Sequence, residues 1–345
     1  MQCTFGKTPT GKRLEQVLQS PNYRDGKFQN LSFTPDLAEG ASLYKVTKEF
    51  LFDKDKRNQP SVILPSIKTD LRSIPLKENC LVWFGHSSYY MQIDGKRMIV
   101  DPVLSGNASP VSFTTKSFKG SDVYSVDDFP EIDYMFISHD HYDHLDYETM
   151  LKIKPKVKKI IMGIGVGEHF ETWGFDANIL VEKDWNEKIE LGDGFTVHTA
   201  PARHFSGRGF KRNQSLWMSY VLQTPSMRVY IGGDSGYDSH FKTIGEQYGP
   251  FDLAILECGQ YHANWKYIHM MPEEVAQAAV DLKAKQLLPV HWAKFSLALH
   301  AWDDPIKRVT AEAARLHVPT HTPMIGEKLL LPSVPKLNRW WENVK

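Results

Sequence analysis

The sequence predicts a single α/β domain in which strands dominate, preceded by an N-terminal arm. Three observations carry that expectation. From Cys80 onward, short apolar or alternating runs recur between turn formers, which is the mark of strands. Late in the chain, two such runs flank a helix with a clear start signal, forming an α/β unit. Residues 1–78 show neither pattern.

That first segment reads as irregular. It holds turn formers (Ser20-Pro21-Asn22-Tyr23, Arg24-Asp25-Gly26) and the charge run Asp53-Lys54-Asp55-Lys56-Arg57, which reads as a solvated loop. Phe28, Phe33, Leu37, Tyr44, Phe50, Leu51 and Phe52 make it too apolar for a free tail. It is therefore expected to pack as an arm on a main body spanning 79–345.

Within the main body, Leu81–Phe84, Tyr89–Ile93 and Arg97–Asp101 read as strands, with Asp94-Gly95 as the hairpin turn between the last two. Further strands are expected at Ile132–Ser138, Lys159–Met162, Ile179–Val181, Phe195–Ala200, Ser219–Gln223 and Arg228–Gly232. Phe251–Glu257 reads as a buried strand. Pro272-Glu273-Glu274 then opens a helix, with proline in the first turn and acid near the positive end of the dipole. Val275, Ala276, Ala279, Val280 and Leu282 form its apolar face, and Gln286–His291 is the next strand.

Composition narrows the function. The chain has 345 residues, and 41 Lys plus Arg balance 41 Asp plus Glu. A nucleic-acid binder needs a basic excess, so no nucleic-acid partner is expected. With 14 His against 3 Cys, a disulfide framework and a thiolate zinc finger are both excluded. A metal here is held by imidazole and carboxylate. No apolar run approaches the ~20 residues of a membrane span, and Met1–Lys7 lacks the apolar core of a secretory signal. The expected location is cytoplasmic or peripheral to a membrane, since peripheral contact needs only an exposed apolar patch. Cys3 also fits the remnant of a lipoprotein cleavage site, so a truncated lipoprotein or exported form is the alternative.

The informative segment is Ile137-Ser138-His139-Asp140-His141-Tyr142-Asp143-His144, directly after a buried strand. Residues two apart on extended backbone can point the same way, so His139 and His141 can grip one cation. Asp143 and His144 are expected at the start of a following helix, facing a second cation. Imidazole and carboxylate suit zinc, and also iron or manganese. Four ligands are too few for two ions, and the remainder follow later strands: His204, Asp234 and His291. Singly these read as a loop histidine, a turn aspartate and a core histidine. Their joint order after the six-residue cluster favours a site at strand ends.

That order resembles the metallo-β-lactamase superfamily of dinuclear metallohydrolases. Within it, the chain most resembles the N-acylphosphatidylethanolamine-hydrolysing phospholipase D family and its bacterial relatives. The resemblance runs from about Trp83 to Arg308. It is carried by Trp83-Phe84-Gly85-His86, Asp101-Pro102-Val103-Leu104-Ser105, Ile137–Tyr147, Gly233-Asp234-Ser235-Gly236-Tyr237, Pro272-Glu273-Glu274 and His291-Trp292. It implies a four-layer αββα sandwich with two zinc ions, iron or manganese being the alternatives. It also implies that His139, His141 and His204 bind the first ion and Asp143, His144 and His291 the second. Asp234 is implied to bridge them, together with a water or hydroxide. His141 stands where redox di-iron relatives tend to carry Glu, and His144 is kept where some true β-lactamases differ. Both points favour a two-zinc hydrolase.

The implied reaction is hydrolysis of a small-molecule or phospholipid phosphodiester by a metal-bridging hydroxide attacking phosphorus. Asp143, Asp234 and His269 are the residues implied at the chemistry. His269 matches a position near the substrate phosphate, either binding it or protonating the leaving group; alone it reads as a neighbour of a helix start. Asp101 resembles an aspartate that orients a ligand imidazole, and equally reads as a turn residue before Pro102. His86 reads as structural, and Gly232-Gly233 as a point of close backbone approach. Tyr261, Trp265, Tyr267, Trp292 and Phe295 are candidates for an acyl-chain or ring pocket, or for the core. A lactonase or esterase of the ascorbate-6-phosphate lactonase branch is the alternative enzyme. An inactive metal-binding scaffold is the third reading, against which the full ligand set argues.

Overall fold

A computed structural model describes residues 4–344. Cys3 lies outside the described residues, as do the side chains of Leu43 and Leu51.

The arm is more ordered than its sequence suggests. It contains helix α1 (Gly11–Gln19), a short hairpin of β1 (Tyr23–Arg24) and β2 (Lys27–Phe28), and helix α2 (Leu43–Phe52). Ser42 caps α2 by accepting a hydrogen bond from the Lys45 amide at 3.2 Å. Tertiary anchors explain why such short elements persist. Arg13 of α1 pairs with Glu182 at 2.6 Å, Glu171 at 2.6 Å and Glu168 at 3.2 Å. Phe28 is fully buried in the main core. Asn30 exchanges two hydrogen bonds with the backbone of His204, at 2.8 and 3.0 Å. Phe33, Tyr44 and Phe52 remain exposed, and so does the Asp53–Arg57 run.

The main body begins with β3 (Cys80–Trp83), β4 (Tyr89–Ile93) and β5 (Lys96–Val100). Then come β6 (Ile132–Ile137), α3 (Tyr147–Ile153), β7 (Val157–Gly163), α4 (Gly167–Thr172) and β8 (Leu180–Lys183). The second half runs through β9 (Lys188–Gly192), β10 (Phe195–Ala200), β11 (Ser219–Gln223), β12 (Arg228–Ile231) and α5 (His240–Tyr248). It continues with β13 (Leu253–Glu257), α6 (Pro272–Asp281), β14 (Leu287–Val290), α7 (Asp304–Arg315) and β15 (Lys328–Leu330).

These strands make two mixed sheets. One has seven strands in the order β15-β3-β4-β5-β6-β7-β8, and the other six in the order β14-β13-β12-β11-β10-β9. Side chains alternate across each strand, which divides the core into layers. Leu81, Trp83, Met91, Met98 and Val100 of the first sheet meet Tyr220, Leu222, Val229 and Ile231 of the second. Between them in sequence, Val82, Tyr90, Ile99 and Met135 face the other way. They pack with Met150 and Ile153 of α3 and Phe170 of α4. On the outer face of the second sheet, Tyr230 meets Phe241 of α5 edge-on at 6.3 Å. The result is the αββα sandwich. Burial on both faces is why the strands read as near-continuous apolar runs.

Deleting Phe28 tests how far the arm is part of this core. Phe28→Ala is expected to lower the unfolding free energy by about 3–5 kcal/mol in a urea titration. A loss below about 1 kcal/mol shows instead an arm that only rests on the surface.

Candidate metal centre

The strand ends of both sheets converge on one cluster. His139 and His141 leave the end of β6, His204 follows β10, Asp234 follows β12 and His291 follows β14. Close approach of the backbone makes this possible. Gly233 has φ +62°, and a Cβ there sits 2.7 Å from Ser138 Cβ, so only glycine fits beside the histidine loop. The helix expected at Asp143 starts later. Asp146 caps α3 through the Glu148 amide, at 3.2 Å, and also accepts from the Leu104 and Ser105 amides. That anchor leaves Asp143 and His144 in the turn before the helix.

Two groups of ligand atoms meet at Asp234. In the first, Nδ1 of His141 lies 2.8 Å from Nε2 of His139 and 3.3 Å from Nε2 of His204. Those two Nε2 atoms lie 3.9 and 3.8 Å from Asp234 Oδ2. In the second, His144 Nε2 lies 3.1 Å from Asp234 Oδ2 and 3.4 Å from Asp143 Oδ2, and His291 Nδ1 lies 3.2 Å from Asp234 Oδ1.

Surrounding groups fix which nitrogens are free. His204 Nδ1–H donates to the Ile268 carbonyl at 2.8 Å. His144 Nδ1–H donates to Asp101 Oδ2 at 2.8 Å. Ser138 Oγ donates to Asp101 Oδ2 at 2.6 Å, and so accepts from His139 Nδ1–H at 2.9 Å. His139 and His204 thus turn a bare Nε2 inward, and His144 points its Nε2 the same way. Asp101 holds two elements of the site at once, which is the orienting position the resemblance implies.

The electrostatics suit cations. Burial holds His139, His204 and His291 well below the usual imidazole range and pulls His141 down to about 4, so all four are neutral donors of lone pairs. His144 goes the other way. Burial opposes its charge, but Asp234, Asp143 and Asp101 outweigh burial and raise it well above 6.5. Those carboxylates call for positive charge at that point. His144 Nε2 and Asp234 Oδ1 are buried without a hydrogen-bond partner. Orphaned atoms of these types, converging from several loops, fit metal ligation.

Two further residues belong to the site. His86, fully buried with φ 52°, contacts Asp143 Oδ2 at 2.8 Å, and its ring lies 3.9 Å from that of His291. It braces Asp143 from behind. Glu257 is completely buried at the end of β13 and escaped sequence reading. Both its carboxylate oxygens lie 3.3 Å from Nδ1 of His269. The signal was available: a charged residue closing an apolar strand is the pattern that picks out Asp234 and His291. His269 sits beside the cluster, its ring 5.0 Å from His204 and 5.4 Å from His291.

A cavity of about 310 Å³ opens over these residues. Val46 and Phe50 of α2, with Trp265, Ile268 and Leu297, form its apolar wall. Of the aromatic candidates, only Trp265 lines it. Trp292 stacks on Trp83 in the core at 5.3 Å, Phe295 packs edge-on against His86 at 5.2 Å, and Tyr261 stacks on His300 at 4.5 Å. Tyr267 lies under the Arg203 guanidinium at 4.7 Å. Among the described residues, no helix is long and apolar enough to cross a membrane.

Known proteins agree with the fold. The family model of the beta-lactamase superfamily domain matches residues 96–292. An uncharacterized protein of Mycobacterium tuberculosis is 36% identical over 334 residues, covering 94% of this chain and 88% of that one. The N-acyl-phosphatidylethanolamine-hydrolyzing phospholipase D 1 of Caenorhabditis elegans is 31% identical over 228 residues, 62% of this chain and 64% of that one. The solved structure of Igni18, a metallo hydrolase of the archaeon Ignicoccus hospitalis, superposes with a TM-score of 0.59 at 18% identity. It covers 74% of this chain and 100% of its own, and so shares the fold. Sheets, helices and the clustered His/Asp ligands define a metal-dependent hydrolase of the metallo-β-lactamase fold. The chain belongs to the beta-lactamase superfamily.

Asp101→Asn tests the inner geometry. It keeps the size of the side chain but weakens its grip on His144 and Ser138. Zinc affinity, read by competition with a chromogenic chelator, is expected to fall about 10- to 100-fold. An unchanged affinity shows that Asp101 serves the fold only.

Proposed function

We propose that the protein is a dinuclear zinc phosphodiesterase that hydrolyses N-acylphosphatidylethanolamine-like phospholipids. One observation carries this reading: two groups of buried ligand atoms share the carboxylate of Asp234 beneath an apolar-walled cavity. In this reading His139, His141 and His204 hold one ion, Asp143, His144 and His291 the other, and Asp234 both. When bound, such ions lower the pKa of a water to near neutrality and offset the negative charge of a phosphodiester.

The chain's own residues supply the rest. His86 and Asp101 hold Asp143 and His144 in place from behind. Val46, Phe50, Trp265, Ile268 and Leu297 offer an acyl chain a surface that excludes water. His269 lies at the border between that surface and the ligand cluster, where it can protonate a departing oxygen. The named activity of the Caenorhabditis elegans relative supports the substrate class. A bilayer is the natural source of such a substrate. The exposed Phe33, Tyr44 and Phe52 belong to the same arm as the cavity wall and suit peripheral contact.

The test offers vesicles of N-acylphosphatidylethanolamine beside a sugar lactone. Phosphatidate release that a chelator abolishes and zinc restores is the expected result. Lactone opening without phosphatidate release rejects the phosphodiesterase reading. Elemental analysis of Asp234→Asn gives a second test. Bound metal should fall well below the two ions per chain expected of the unaltered protein. Full zinc and full activity in that variant overturn the ligand assignment.

A further inference from the structure

Glu257 takes no part in holding the ions as assigned above, yet it is fully buried and faces one partner of note. Its oxygens lie 3.3 Å from Nδ1 of His269. Oε1 also accepts from the Met270 amide at 3.1 Å and from the Ser235 amide at 3.4 Å. Two backbone donors that cannot turn away favour a carboxylate that accepts, so the proton between Glu257 and His269 belongs on Nδ1. A buried carboxylate oriented in this way fixes the imidazole in one tautomer and one rotation. The nitrogen that remains is Nε2, on a ring that lines the cavity between His204 and His291.

We propose that Glu257 is a positioning residue which, by holding His269 at Nδ1, makes His269 the acid that protonates the leaving-group oxygen. The inference rests on the phosphodiesterase reading and deepens it. In the step, a water oxygen forms a bond to phosphorus as the bond from phosphorus to the head-group oxygen breaks. The electron pair of that bond goes to the leaving oxygen, which takes the proton from His269 Nε2. The proton lost by the attacking water passes to solvent, and solvent returns one to His269. Glu257 touches no reacting atom. It keeps the imidazole aligned and stabilises its positive charge before the proton leaves.

An acid matters in proportion to the basicity of the group that leaves, and this separates the role from a merely structural one. The test compares the zinc-loaded full chain with Glu257→Gln and Glu257→Asp on two phosphodiesters. One has an alkoxide leaving group (N-acylphosphatidylethanolamine), and the other a p-nitrophenolate (bis-p-nitrophenyl phosphate). Removing general-acid assistance costs about 100-fold or more. Glu257→Gln should therefore lower kcat on the phospholipid by about 100-fold at nearly constant KM. Its loss on the p-nitrophenyl ester should be at least about ten times smaller, because that anion departs unprotonated. Glu257→Asp, which keeps the charge, should recover part of the phospholipid activity. Equal losses on both substrates, or zinc lost from Glu257→Gln, overturn the proposal and make Glu257 a support of the metal cluster. A nitrogen NMR spectrum of His269 in the zinc-loaded protein needs no substrate. It should show Nδ1 protonated, with a shift that moves in Glu257→Gln. A bare Nδ1 overturns the proposal even if the phospholipid is not the substrate. Inactivity of the unaltered protein on both esters, with Nδ1 protonated, rejects the phosphodiesterase reading and leaves the Glu257–His269 pairing standing.

Discussion

Burying a carboxylate costs several kcal/mol unless donors or cations meet it, and Asp234 is only 3% exposed. Its surroundings are four histidine rings within 3.9 Å, drawn from the three loops that follow β6, β10 and β14. Burial holds His139, His204 and His291 well below the usual imidazole range, while the carboxylates of Asp234, Asp143 and Asp101 raise His144. The geometry of both sheets follows from this point. Parallel pairing of β5, β6 and β7 in one sheet and of β12, β13 and β14 in the other puts their C-terminal ends on one side. The loop after β6 then delivers His139 and His144, and the loops after β10 and β14 deliver His204 and His291, to the same carboxylate.

Most of this architecture was legible in the sequence because burial writes itself into strands. Phe195–Ala200 and Ser219–Gln223 match the expected limits, and the helix begins at Pro272 as its start signal requires. The ligand residues were legible because each is polar and stands just after an apolar run. Harder to read were elements whose stability comes from elsewhere in the chain. α1 buries only Val17, and ion pairs from Arg13 to acids some 150 residues away secure it. β15 has three residues and exists because Leu329 and Leu330 pair with Leu81 and Cys80. No local pattern announces either.

The inner support of the site divides in the same way. Asp101 follows a strand and precedes a proline, a position with two readings until His144 and Ser138 are seen bonded to it. His86 lies 57 residues from Asp143 in sequence, and only the turn between β3 and β4 brings it within 2.8 Å. Glu257 was present as the last residue of an expected strand. Its partner, His269, is placed by the loop leading into α6, and nothing in local spacing connects the two. Roles that depend on a second residue become visible only with that residue in place.

The paired hydrogen bonds between Asn30 and the backbone of His204 have a thermodynamic consequence. The same residue is fastened by the arm on one side and turned toward the ion cluster on the other. Any influence of one side on the other is reciprocal and equal in free energy. The arm thus serves as an internal brace on His204, restricting the residue before anything meets its imidazole. The cavity wall supplied by Val46 and Phe50 lies in that same arm. One segment therefore both braces a residue of the cluster and walls the cavity above it.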